Sequence, residues 1–140
     1  MGIVKAAPVA GISWELAGQA RPLVLRNREI ERFEERHNPL SIFAVVDGFA
    51  GLADMPQARH CRDLVALGLI GAGMAEALAD AIVAQQPPSK DAELKRCAQA
   101  LVFAAYLPAP DDDTPGKPQG DGLSAASPAG DGTSPPGSEA

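Results

Sequence analysis

The sequence predicts an α+β domain, mostly α, in which an N-terminal β-hairpin is followed by about five short helices and a disordered C-terminal tail. Three observations lead there. Apolar and polar residues alternate between Gly11 and Arg26. Apolar residues then recur at three- and four-residue spacing as far as Tyr106, and beyond Tyr106 the composition changes abruptly. Residues 107–140 hold seven of the 13 prolines and six of the 14 glycines, with Leu123 the one large apolar side chain after Leu107. Such a segment buries too little surface to offset the entropy of ordering its backbone. The chain therefore divides into a flexible N-terminus (1–10), a single domain (11–106) and a disordered acidic Pro/Gly-rich tail (107–140).

In "GISWELAGQARPLVLR", Ile12, Trp14 and Leu16 alternate with Ser13 and Glu15, "AGQAR" turns the chain, and Leu23 and Leu25 continue the pattern on the return. Pro22 belongs at a strand start or edge. Asn27 is the expected cap of a helix over Arg28–His37, with Ile30 and Phe33 facing inward against the hairpin. Asn38 and Pro39 read as cap and first residue of the next helix, which carries Leu40, Ile42, Phe43, Val45, Val46 and Phe49 and is apolar on nearly every side. Such a helix is central, or exposes a patch that another protein covers.

A third helix runs from about Pro56 to Gly68, with Cys61, Leu64, Val65 and Gly68 on one face. Gly68, Gly71 and Gly73 do not reproduce GxGxxG and follow no strand, so they read as a helix end and tight turn rather than a nucleotide site. The fourth helix, Met74–Gln85, turns Ala75, Leu78, Ala79 and Ile82 to one side. Pro87 and Pro88 stop it and Ser89 caps a fifth, whose Leu94, Cys97, Ala98, Leu101, Val102 and Ala105 form the cleanest amphipathic stripe in the chain.

Charge narrows the function. Six acids against Lys117 place five of the six net negative charges in the tail, leaving the body near neutral. A body without excess positive charge releases few counterions from phosphate, which disfavours nucleic acid as partner. The longest apolar stretch, Leu64–Ala84, carries Glu76 and Asp80, and no segment reads as an export signal or membrane span, so the cytoplasm is the expected compartment. Cys61 and Cys97 fall on apolar faces and read as buried thiols, with a disulfide or metal pair as the alternative.

The row Arg28, Arg32 and Arg36 lies at four-residue spacing among Glu29, Glu31 and Glu35. Opposite charges at i, i+3 (Arg28 with Glu31, Glu29 with Arg32, Arg32 with Glu35) make a solvated, self-paired face the leading reading, and a partner-binding arginine row the alternative. Catalysis by these glutamates is disfavoured, because nothing in the sequence supplies the burial that shifts carboxylate pKa values. With no GxSxG, HExxH, P-loop or metal-ligand spacing, the expectation is a protein that is not an enzyme, with no catalytic residues, cofactor or metal.

The segments "GISWELAGQARPLVLRN", "REIERFEE", "FAVVDGFAGL", "CRDLVALGLIGAGM" and "EALADAIVAQQPPSKDAELKRCAQALVFAAY" follow one another in an order that resembles the tail assembly chaperone family of tailed phages, specifically the small protein encoded in the tail gene clusters of gene transfer agents. The resemblance covers about Gly11 to Tyr106. It implies a bacterial cytoplasmic protein that coats the long helical tape measure protein until tail tube subunits displace it, and that is absent from the finished particle. The partners implied are the tape measure protein and the tail tube protein, with self-association as a further expectation. The residues expected to bind them are Phe43, Val46 and Phe49 of the apolar helix and Arg28, Arg32 and Arg36 of the arginine row. A structural tail subunit and a small helical adaptor or regulator are the alternatives.

Overall fold

The computed structural model describes residues 7–107, all within the unit Met1–Leu107. What the sequence predicts for residues 1–6 and for the tail from residue 108 onward lies outside the described residues. The element order is β1 (Gly11–Leu16), β2 (Gln19–Val24), α1 (Asn27–Arg36), α2 (Ile42–Phe49), α3 (Ala58–Gly71), α4 (Glu76–Ala84) and α5 (Asp91–Tyr106). The architecture is thus the predicted two-stranded hairpin and five helices.

β1 and β2 pair antiparallel, with Leu16 opposite Gln19 and Ile12 opposite Leu23. Only Ala17 and Gly18 remain to turn the chain, and both adopt positive φ, 53° and 81°. This is the pattern of a type I′ turn, whose twist matches that of the flanking strands. Pro22 lies opposite Ser13 in the middle of β2. Counted from the closing pair Leu16–Gln19, this position is a non-hydrogen-bonded one, so the missing N–H removes no rung of the ladder.

The core is organised around α3, which packs against β2, α1, α4 and α5. Leu64, Val65 and Leu67 are fully buried there, as are Leu23 from β2 and Leu101 and Val102 from α5. Of the glycines that read as a helix end and turn, Gly71 closes α3 as its last residue, whereas Gly68 lies inside the helix, which runs three residues further than expected. Tertiary packing overrides their weak helix propensity. A Cβ at Gly68 would meet Leu101 and Leu23, and one at Gly71 would overlap the Val24 carbonyl oxygen. The two positions let the hairpin and α5 lie directly on the helix backbone. Gly73, at φ 111°, makes the turn that follows.

Several local expectations are corrected. Asn27 is the first residue of α1 and Arg26 its N-cap; the Arg26 N–H is satisfied by Glu29, whose Oε1 accepts it at 3.1 Å. A glutamate three residues into a helix reaches back to the cap in this way. Glu29 is 1% exposed, against the expectation that nothing buries a carboxylate here. Phe33 docks α1 onto α3 rather than onto the hairpin, and Ile30 is only partly buried. α2 begins at Ile42 rather than Pro39, because Ser41 Oγ accepts the Phe43 N–H at 3.0 Å and Glu34 Oε2 accepts the Ile42 N–H at 2.9 Å. In α4 the inward residues are Ala79, Ile82 and Val83, and Leu78 is 53% exposed. Ser89 lies within a single 3-10 turn, Pro88–Lys90, and does not cap α5.

Arg62 of α3 closes the far end of α4. Its guanidinium donates to the carbonyls of Val83 at 2.9 Å, Gln86 at 2.8 Å and Pro87 at 3.3 Å, and to Asp91 Oδ1 at 2.9 Å. One planar fork thus serves three carbonyls at and just beyond the end of α4, of which those of Val83 and Pro87 also accept the N–H of Gln86 and Lys90.

Candidate interaction surface

Arg32 and Arg36 pair with acids outside their own helix. Arg32 donates to Glu76 at 2.8 Å; Arg36 binds Asp63 and lies 3.5 Å from Glu76. None of the three predicted i, i+3 pairs is an ion pair in the structure, and Arg28 instead lies 3.6 Å from the buried Glu29. The packing of α1 on α3 decides this, because it brings Asp63 and, at the start of α4, Glu76 within reach of one face of the helix. Sequence spacing along α1 contains no signal for acids that lie so far along the chain. Arg32 and Arg36 are therefore occupied in holding α1 to the body, and only Arg28 is largely free of that role.

The apolar residues of α2 separate by depth. Phe49 is 7% exposed and meets Phe103 edge-on at 6.4 Å, which places it in the core. Val46 is half-buried against the same core. Phe43 is 66% exposed, its ring 5.7 Å from that of Tyr106 at the end of α5. Burial, with a smaller contribution from the charge of Glu34, pushes the Tyr106 hydroxyl above its ordinary range. Phe43, Val46 and Tyr106 thus form an aromatic and aliphatic step on the surface, bounded on one side by the start of α2 and Glu34.

Beneath α1, Phe33 packs on His37 with ring centroids 4.6 Å apart, and His37 meets His60 edge-on at 4.8 Å. His37 Nε2 lies 2.9 Å from Asp63 Oδ2, and its Nδ1 is buried with no hydrogen-bond partner among the described residues. The Gln57 N–H donates to His60 Nδ1 at 3.1 Å, an arrangement open only to a neutral imidazole. Burial first, then His37 and Arg59, hold His60 below the usual histidine range, with Asp63 opposing. A histidine held neutral in the fold but free to protonate once unfolded, near pH ~6.5, contributes stability that is complete above that pH and is lost as pH falls below it. Urea midpoints are accordingly expected to drop between about pH 7.5 and about pH 5.5. His60→Gln should flatten that slope, and a slope unchanged by the substitution would refute the assignment to His60.

Cys61 and Cys97 are free and buried. Burial pushes their thiols up to about 11 and about 12, which leaves them protonated and unreactive at neutral pH. Among the described residues no group of three His, Cys, Asp or Glu side chains is placed to hold a metal ion, and no described helix is long and apolar enough to cross a membrane. A cleft of about 420 Å³ opens between β2 and the α3–α4 turn, over Pro22, Leu69, Met74 and Leu78. It offers no titratable pair of the kind that proton transfer uses. The chain matches no protein-family model, no curated protein and no solved structure.

Proposed function

We propose that the protein is a tail assembly chaperone of the gene transfer agent type. In this reading it binds the tape measure protein in the bacterial cytoplasm, keeps it soluble, and yields it to tail tube subunits without entering the finished particle. The resemblance in the order of segments from Gly11 to Tyr106 motivates the reading. The observation that carries it is the exposed Phe43–Tyr106 step, an apolar surface of the kind that receives the apolar face of a helix. No catalytic group is invoked. A tail-tube-associated structural subunit is the second reading, favoured by the two-stranded hairpin, whose strands each keep one edge unpaired by another strand.

Co-expression of the full chain with the tape measure protein of the same tail gene cluster, followed by size-exclusion chromatography with mass detection, tests the proposal. Several copies co-eluting with a solubilised tape measure protein is the expected result. A chain eluting alone while the tape measure protein stays insoluble would overturn it, and recovery of the chain in purified particles would favour the structural subunit.

A further inference from the structure

α1 sorts its charges by face. Arg32 and Arg36 turn to Glu76 and Asp63, whereas Glu31, Glu34 and Glu35 line, with Asn38, an open cleft of about 310 Å³. Among the described residues none of these three glutamates takes part in an ion pair. Glu34 joins this cleft to the aromatic step, because its Oε2 accepts the N–H of Ile42, the residue before Phe43. On α2 itself Asp47, one turn beyond Phe43, is exposed. An apolar strip about one helical turn long is thus bordered by acids on its α1 side, with one further exposed acid on α2.

We propose that this face is a docking site for a cationic amphipathic helix, whose apolar stripe covers Phe43, Val46 and Tyr106 and whose flanking lysines or arginines enter the Glu31–Glu35 cleft. The strip is formed by helix side chains and presents no backbone edge, so an added strand would find no hydrogen-bonding partners on it. A helix with apolar residues at three- and four-residue spacing and basic residues beside them matches both the strip and its acidic α1 margin. Charge complementarity, not area alone, sets the preference. The unpaired carboxylates repel an acidic helix of the same apolar pattern and attract a basic one. The inference deepens the chaperone reading, on which it rests for the helical character of the partner. Its test contains no tape measure protein, so the two fail separately.

The test uses the full chain and two fluorescein-labelled peptides of about 18 residues, ~27 Å as helices, with the same leucine stripe and with flanks of either lysine or glutamate. Fluorescence anisotropy is expected to show the lysine peptide binding about 10-fold or more tightly than the glutamate peptide, with the advantage shrinking as salt is added. Phe43→Ser should weaken the lysine peptide by about 10-fold. Glu31→Lys with Glu35→Lys should reverse the preference; Glu34 is left intact because it caps α2. Equal affinity for the two peptides, or no binding of either, would overturn the proposal. So would a concentration-dependent dimer that excludes the peptide and is abolished by Phe43→Ser, which would give the face to a second copy of the chain.

Discussion

Phe33→Ala is expected to cost about 3–5 kcal/mol of folding stability, read as a lowered urea midpoint with an unchanged slope. Phe33 has no exposed surface, and its ring lies 4.6 Å from that of His37 and 6.2 Å from that of His60. α1 has only ten residues, and the only other large apolar side chain it brings to the core is the partly buried Ile30. Removing the ring leaves a cavity against α3 and loosens the helix that holds Arg36 on Asp63. That ion pair cannot compensate, since partly exposed pairs contribute on the order of 1 kcal/mol. A midpoint unchanged by the substitution would contradict the docking of α1 through Phe33.

Arg62→Met should cost about 2–3 kcal/mol, although the side chain is 24% exposed. Methionine retains much of the buried stem, so what is lost is the set of donors serving the carbonyls of Val83, Gln86 and Pro87. The Gln86 carbonyl then loses its donor, while those of Val83 and Pro87 keep only the N–H of Gln86 and Lys90. Asp91→Asn serves as the control. It weakens the ion pair but spares the carbonyl bonds, and its expected cost is below about 1 kcal/mol. If the two substitutions cost the same, the salt bridge rather than the carbonyl cap holds α4 in place.

Reading the chain by pattern succeeds where pattern is what folding uses. The alternation of Ile12, Trp14 and Leu16 and the stripe from Leu94 to Val102 are direct imprints of a half-buried strand and a half-buried helix, and both elements form as expected. It fails where the deciding contact comes from a distant segment. Gly68 resembles a helix end by propensity, yet α3 runs on to Gly71, because Leu23 and Leu101 arrive to make the absence of a side chain an asset. Asn27 and Asn38 have good capping chemistry, but Glu29 and Glu34 supply the bonds that the helix starts use.

The candidate surface was legible only in part. The apolar excess of α2 is visible in the sequence, and Phe43 and Val46 lie at or near the surface where a partner can reach them. Phe49 belongs to the core, since the depth of a side chain on an apolar helix depends on which neighbour covers it. Arg32 and Arg36 are committed to Asp63 and Glu76, pairings more than twenty-five residues apart in sequence. The unpaired glutamates on the same helix, and Tyr106 beside Phe43, emerge only when α1, α2 and α5 are seen together.

The close approach at α3 shapes how this sequence can drift. Exposed positions are free to change, and buried aliphatic ones can exchange within a nearly constant volume. Gly71 has neither freedom, because a new methyl group would meet the backbone of β2 at Val24, and at Gly68 it would meet the side chains of Leu101 and Leu23. Substitution at Gly71 requires the hairpin itself to move, and at Gly68 it requires Leu101 of α5 to repack. Divergent lineages of the fold would therefore keep the pair of small residues, three apart, long after the surface has been rewritten. That spacing, read together with the hairpin before it, is the anchor from which a distant alignment would have to be built.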